Sequence, residues 1–186
     1  MKLGLKIIFR LSLALIIILG SIFTITNFVL KDRFEKIELD QSVIRLQQAK
    51  NTLQSTIDNI RIKASDWAQW DDSYNYVRKP NPDFVKSNLG PETLVNLNVD
   101  YILIFNNQQQ LVVSSPVTFN DSEQFSKLTK EYKGLINVNQ QTHLITSLPI
   151  TNSAGTATPA GIIIFGKLFN NTLISHLNDT VNLKMS

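Results

Sequence analysis

Cysteine is absent from the 186-residue sequence, and histidine occurs only at His143 and His176. Without thiols the chain cannot form a disulfide scaffold, an iron–sulfur cluster, a cysteine-ligated zinc site or a cysteine nucleophile. The two histidines lie in a predicted strand and a predicted helix, without the spacing of metal ligands. The seven glycines are scattered, so no phosphate-binding glycine loop is present. We therefore expect no catalytic residues, no metal, no cofactor and no enzymatic activity.

Positive charge is concentrated at the N-terminus. The formal net charge is +3, and three of the 18 basic residues, Lys2, Lys6 and Arg10, lie in residues 1–10, which contain no acid. The remaining basic residues therefore equal the 15 acidic ones in number. A nucleic-acid-binding protein needs basic residues clustered on a face, so nucleic acid is not an expected partner.

An uncharged apolar run follows this basic tip, from Leu11 to Leu30. Twenty helical residues rise about 30 Å, the thickness of a bilayer core, whereas the apolar region of a cleaved signal peptide has only about 7–15 residues. We expect residues 1–10 in the cytoplasm, a transmembrane helix at 11–30, and residues 31–186 outside. Lys31, Arg33 and Lys36 balance the basic tip, so the N-terminal amine and the long following domain favour this orientation. The expected location is the inner (plasma) membrane, with a single pass and the domain facing the periplasm or the outside.

A long helix is predicted for residues 31–78, because neither glycine nor proline occurs between Lys31 and Arg78. Apolar residues recur in steps of four and three, with one polar interruption, and we call this stripe the seam: Leu39, Val43, Leu46, Lys50, Leu53, Ile57, Ile60, Ala64 and Trp67. A seven-residue repeat of this kind packs on the domain's own sheet or on a partner helix in a homodimer. The two interpretations are compatible if the membrane-proximal part is exposed. Continuing the steps puts Asp71 on the buried stripe, where it needs a cationic partner, a backbone amide of a neighbouring loop or a bound ligand.

Both tryptophans of the chain lie in the segment Asp66-Trp67-Ala68-Gln69-Trp70-Asp71-Asp72-Ser73-Tyr74-Asn75-Tyr76-Val77. This segment resembles the signature of the fourth CHASE family, whose members are extracytoplasmic sensory domains of prokaryotic receptors. Residues 81–84, 100–105 and 161–166 are also similar to the family's pattern, and the resemblance covers roughly Phe34 to Asn178. The turn at 106–109 departs from it, since the family commonly has Asp and Gly there. Members usually continue through a second span into a cyclase or kinase, whereas this sequence stops at Ser186.

The rest of the chain predicts an α+β domain. Asn81 and Pro82 are typical of a helix start, residues 99–105 and 110–115 of a hairpin, and 142–150 and 160–169 of two more strands. Helices are predicted at 122–132 and 170–182. The resemblance implies a PAS-like, Cache-like antiparallel sheet within residues 99–169, packed against the long helix. Such sheets have five or so strands, so we expect the domain to be incomplete at the C-terminus, with the missing strand beyond Ser186.

The predicted function is a membrane-anchored sensory domain of a signal-transduction receptor that binds an unknown small-molecule ligand or responds to a stimulus. The alternative is a non-signalling anchored scaffold or the remnant of a truncated receptor gene. Aromatic walls with a few polar groups are typical of a small-ligand pocket, and equally of a structural cluster that joins helix to sheet. The candidate ligand-binding residues are Asp66, Trp67, Trp70, Asp71, Asp72, Tyr74 and Tyr76.

Overall fold

The computed structural model describes residues 2–119 and 122–183, so the last three residues of the predicted sensory domain lie outside the described residues. The chain divides into two compact units, Met1–Gln48 and Ala49–Ser186. Helix α1 (Lys2–Ala68) supplies all of the first unit's described residues and the beginning of the second unit.

Among its described residues, the first unit contains one apolar stretch that is long enough to cross a membrane, Gly4–Phe28, with a mean hydropathy of 2.4. It begins before the predicted span and includes Lys6 and Arg10. After this stretch, the first three seam residues, Leu39, Val43 and Leu46, are exposed, and Leu46 keeps 72% of its accessible surface. The membrane-proximal part of the seam is therefore uncovered in the single chain, as a partner helix would require.

Three short helices follow α1 in the second unit: α2 (Asp71–Arg78), α3 (Pro82–Asn88) and α4 (Pro91–Leu97). The prediction of one helix to Arg78 is wrong, because α1 ends at Ala68 and Trp70 has extended backbone, with φ −110° and ψ 130°. The prediction that Asp71 continues the buried stripe is wrong for the same reason, and its side chain is exposed. The predicted start of α3 is confirmed, since the Asn81 side chain accepts a hydrogen bond from Phe84 N at 2.9 Å.

A five-stranded antiparallel sheet forms the centre of this unit, in the order β2-β1-β5-β4-β3. The strands are β1 (Tyr101–Asn106), β2 (Leu111–Ser115), β3 (Tyr132–Val138), β4 (Gln141–Ile150) and β5 (Gly161–Leu168). Two more helices complete it, α5 (Ser122–Phe125) and α6 (Asn171–Leu183). The α+β prediction and the hairpin of β1 and β2 are confirmed.

The fifth strand lies within the chain, so the prediction that it lies beyond Ser186 is wrong. The predicted helix at 122–132 shortens to the single turn of α5, and Tyr132 begins β3 instead. A two-residue turn joins β3 to β4, with positive φ at Asn139 (50°) and Gln140 (64°). Positive φ at both central residues is the conformation that matches the twist of a tight hairpin.

Both faces of the sheet are covered. On one face Ile60, Ala64 and Ala68 of α1 pack with Ile104 and Phe165. On the same face, α6 packs against α1 and β4 through a small cluster of buried residues, Ile57, Leu144, Leu173 and Leu177. The opposite face is covered by α5 and its flanking loops, which bury Tyr101, Leu103, Phe105, Phe125, Ile145 and Ile164. The long helix therefore lies on one face only, and the Trp/Asp segment is at its end.

Candidate functional site

The break between α1 and α2 is held by the loop that follows β4. The carbonyl of Ala68 accepts a hydrogen bond from Thr151 N at 2.8 Å. Two reciprocal bonds join Asp71 to Ser153: Ser153 N donates to Asp71 Oδ1 at 2.9 Å, and Asp71 N donates to Ser153 Oγ at 3.2 Å. Of the three partners that the sequence left open for Asp71, the structure shows the backbone amide of a neighbouring loop. These bonds supply partners that a continuous helix would have supplied within itself.

The tryptophans pack the break onto the sheet. Trp67 contacts Trp70 edge-on, with ring centroids 5.8 Å apart, and it contacts Phe165 of β5 at the same distance. Tyr74 is half-buried, and the guanidinium of Arg78 lies 5.4 Å from the centre of its ring. Such contacts stabilise the junction beyond simple area burial. Trp67 and Tyr74 therefore pack within the junction between α1, α2 and the sheet.

A cleft of about 410 Å³ opens between α2 and α3, and we call it the α2–α3 cleft. Its aromatic lining is Trp70, Tyr76 and Phe84. The rings of Tyr76 and Phe84 stack with centroids 4.3 Å apart, and burial raises the pKa of the Tyr76 hydroxyl. The polar lining is two carboxylates with amides and a hydroxyl: Asp72, Asp83, Asn75, Asn81, Asn88 and Ser87. Among the described residues that line the cleft, the two carboxylates are the charged groups.

The structure brings three of the seven candidate residues to the α2–α3 cleft: Trp70, Asp72 and Tyr76. Asp71 lies at the loop that follows β4, Trp67 and Tyr74 lie in the packed junction, and Asp66 is exposed on α1. Ligand binding by any of the seven stays a prediction. Within the described residues, no group of three or more His, Asp or Glu side chains could hold a metal ion.

Two features of the second unit are not indicated by its sequence. Asn81 is a predicted helix start and Asp83 belongs only to the family-like stretch 81–84, but both also line the cleft. His143 is fully buried, and its Nδ1 lies 3.0 Å from the hydroxyl of Tyr101, 42 residues away. No local pattern marks that pair, because strand order alone brings β1 and β4 within two positions of each other. The side chain of His176 lies outside the described residues.

The fold is similar to that of solved periplasmic sensor domains. The crystal structure of the periplasmic domain of Vibrio cholerae LuxQ matches with a TM-score of 0.55 at 10% identity, covering 75% of this chain and 70% of that one. A second structure of that domain gives 0.50 at 9% identity, with the same coverage of both chains. The sensor domain of E. coli DcuS matches with 0.48 at 11% identity, covering 72% of this chain and 98% of that one. The LuxQ match at 0.55 and the helices packed on a five-stranded antiparallel sheet confirm the predicted PAS-like, Cache-like α+β fold.

The sequence itself gives one family match. No curated protein matches significantly. The family model of the CHASE4 domain matches residues 52–186, which cover the distal part of α1, the Trp/Asp segment, the sheet and α6. This match confirms the resemblance stated from the Asp66–Val77 segment. The chain belongs to the CHASE4 domain family, and its second unit is an extracytoplasmic sensory domain.

Proposed function

We propose that the chain is the input part of a membrane receptor and that the α2–α3 cleft binds its ligand. Residues 1–10 would lie in the cytoplasm, the apolar helix would cross the membrane once, and residues 31–186 would lie outside. Two features support this topology: the apolar stretch Gly4–Phe28 and the CHASE4 match over residues 52–186. The role of the family agrees with a non-catalytic, sensory function.

One observation carries the proposal: Trp70 belongs to the cleft and to the helix junction at once. It lines the cleft beside Asp72, immediately precedes the first residue of α2, and contacts Trp67 on the last turn of α1. A ligand that contacts Trp70 would therefore act on the residue that joins the cleft to α1. Signalling additionally requires a ligand that binds two arrangements of this junction with different affinity.

The lining of the cleft favours a small ligand that carries a positive charge. Asp72 and Asp83 provide two carboxylates, and Trp70 provides the aromatic face that attracts ammonium groups most strongly. A cationic ligand would place charge against both kinds of group. An anionic ligand would meet two carboxylates without a lining lysine or arginine to offset them.

The test compares two adjacent aspartates in the full chain, reconstituted in lipid nanodiscs. Choline, ethanolamine and putrescine serve as probes, and the ligand-dependent rise in melting temperature is the readout. Asp72→Asn should abolish the rise with little change in the unliganded melting temperature. Asp71→Asn is the matched control, because it removes the same charge outside the cleft and keeps an oxygen acceptor for Ser153 N.

Two results would contradict the proposal. If none of the three amines shifts the melting temperature, the cationic class is wrong. If an amine shifts the wild-type chain and Asp72→Asn equally, the ligand binds elsewhere.

The exposed part of the seam supports a further element of the receptor proposal, a homodimer. Leu39, Val43 and Leu46 present an apolar stripe with no cover in the single chain. In a parallel pair of anchored helices, this stripe would meet its own copy. Dimerisation would let a change at the junction alter the packing of two helices that enter the same membrane.

A further inference from the structure

A second groove lies at the other end of the distal part of α1, where α1, β5 and α6 converge. It has a volume of about 360 Å³, within the range of small-molecule sites. Four separate segments line it: Thr56 on α1, Asn98 and Asp100 before β1, Lys167 near the end of β5, and the first turn of α6. We call it the α1–α6 groove. None of its lining residues lines the α2–α3 cleft.

One side of the groove is positively charged. Lys167 Nζ donates to Asn98 Oδ1 at 2.8 Å and to Asn98 O at 3.2 Å, and both of these oxygens belong to neutral groups. In the described part of the chain, ion pairs join Arg61 to Glu131 and Lys133 to Asp58, so neither includes Lys167. Its charge is therefore held in a fixed position without a carboxylate against it.

The start of α6 adds donors to the same groove. Asn170 caps the helix, since its Oδ1 accepts from Leu173 N at 3.0 Å. Thr172 and Leu173 line the groove directly. The cap already satisfies Leu173 N, whereas the amides before it in the first turn have no acceptor within the helix. The N-terminal end of the thirteen-residue helix also carries partial positive charge.

Asp100 contributes a negative charge to the lining of the groove. Its Oδ2 accepts the backbone N–H of Leu168 at 2.7 Å, and this bond fixes the carboxylate beside the end of β5. Asp100 and Lys167 both line the groove but form no ion pair with each other. Two opposite charges are thus presented to the same space by different backbone segments.

We propose that the α1–α6 groove binds a small zwitterion of the α-amino-acid class. The carboxylate of the ligand would pair with Lys167 and the first turn of α6, and its ammonium group would pair with Asp100. A ligand with only one charge could pair with Lys167 or with Asp100, but not with both. Thr56, Thr172 and Leu173 also line the groove and give the ligand side chain a mixed polar and apolar surface.

The groove contacts α1 at a place separate from the α2–α3 cleft. Leu173 lines the groove and also packs against Ile57 of α1 in the cluster that joins α6 to α1. A bound zwitterion would therefore contact both helices beside their shared apolar contact. This second site would give the domain two chemically different inputs.

The experiment is calorimetric titration of the full chain in lipid nanodiscs with each standard L-amino acid. Ethylamine and propionate are the matched controls for L-alanine, because each carries only one of its charges. We expect at least one amino acid to bind while the amine and the acid alone do not. Lys167→Gln and Asp100→Asn, which keep a hydrogen-bonding group, should each weaken binding about tenfold or more.

Two control variants make the outcome specific. Lys63→Gln changes the same charge close by, since Lys63 Nζ donates to Leu97 O at 2.7 Å without lining the groove, and it should bind normally. Asp72→Asn should also bind normally, because it alters only the α2–α3 cleft. The proposal is overturned if no amino acid binds, if propionate binds as tightly as L-alanine, or if both groove variants retain full affinity. If Lys167→Gln or Asp100→Asn fails to fold, the other variant still tests the proposal, together with the comparison of L-alanine with ethylamine and propionate.

Discussion

Gly166 occupies a position in β5 that admits no side chain. Gly166→Ala therefore tests the packing on the face of the sheet that α5 covers. A Cβ built at Gly166 would lie 2.0 Å from Cζ of Tyr101 and 2.3 Å from its hydroxyl. Favourable contact between carbon atoms requires about 3.5–4.0 Å, so the ring and the methyl group cannot both remain in place. The ring of Tyr101 lies directly over the glycine with which it is paired across the strands.

The ring has no free space to enter. Tyr101 is 1% exposed, stacks on Phe119 with centroids 4.2 Å apart, and contacts Phe125 at 5.5 Å. Its hydroxyl is bonded to His143. Overpacking a core costs about 1–3 kcal/mol, and losing a large aromatic side chain from it costs about 3–5 kcal/mol. We expect Gly166→Ala to lower the free energy of unfolding by about 3 kcal/mol, a large share of the 5–15 kcal/mol typical of a domain.

Urea unfolding of the full chain in detergent micelles measures this cost by tryptophan fluorescence. Both tryptophans lie at the α1–α2 break, so the signal reports on the second unit. Gly90→Ala is the control, because a Cβ there meets nothing within 4 Å and φ is −72°. Because Gly90 only precedes α4, Gly90→Ala should lower the free energy of unfolding by at most about 1 kcal/mol.

A double-mutant cycle makes the reasoning refutable. In a Tyr101→Ala background the obstructing ring is gone, so Gly166→Ala should then cost close to nothing. The expected coupling energy is about 2–3 kcal/mol, within the range for residues in direct contact. An equal cost of Gly166→Ala in both backgrounds would show that the ring does not set the requirement for glycine.

Asp71→Ala should lower the unfolding free energy by about 1 kcal/mol, because the hydrogen bond from Ser153 in the loop after β4 is lost. Ligand binding in the α2–α3 cleft should be retained. An unchanged unfolding free energy would refute the structural role of Asp71. The hydrogen bond from Lys133 lowers the pKa of Asp58, so the stability that this group adds is present above its ordinary value of 3.8 and is lost as the pH falls through the lower folded value. The melting temperature of Asp58→Asn should therefore fall below that of the wild type at neutral pH, and the difference should shrink as the pH falls below 3.8. Cysteine at Val43 should cross-link copies of the chain in membranes, whereas cysteine at Arg45, outside the seam, should not; equal cross-linking would argue against a dimer through the seam.

Elements with local signals were predictable from the sequence. The Asn81-Pro82 helix start, the β1–β2 hairpin and the apolar run of β5 depend on neighbouring residues, and all three are present. The hairpin even forms without the family's usual Asp and Gly, because Asn106 Oδ1 accepts bonds from Gln108 N and Gln110 N. An asparagine side chain of this kind substitutes for backbone turn contacts.

Features fixed by distant contacts were not predictable. The segment before Trp70 contains no glycine or proline, and its apolar spacing continues smoothly, so nothing local marks the end of α1. The end is set by Thr151 and Ser153, about eighty residues further on in the sequence. In the same way, Phe125 and Tyr132 have helical spacing, although one covers the sheet and the other begins an edge strand. The α1–α6 groove combines four segments that no sequence motif connects.

Both proposed sites involve α1, which gives their ligands a shared element through which binding can be coupled. Thr56 lines the α1–α6 groove, and Trp67 contacts the cleft residue Trp70. Trp67 lies eleven positions after Thr56 on the same helix, a rise of about 16 Å. If each ligand favours one arrangement of the same helix, the two binding equilibria are coupled. Linkage then requires the coupling to be reciprocal: an amine in the cleft must change the affinity for the zwitterion by the same factor as the zwitterion changes the affinity for the amine. Equal factors that differ from one would identify α1 as the shared two-state element, whereas a factor of one in both directions would mean that the helix serves only as a rigid support.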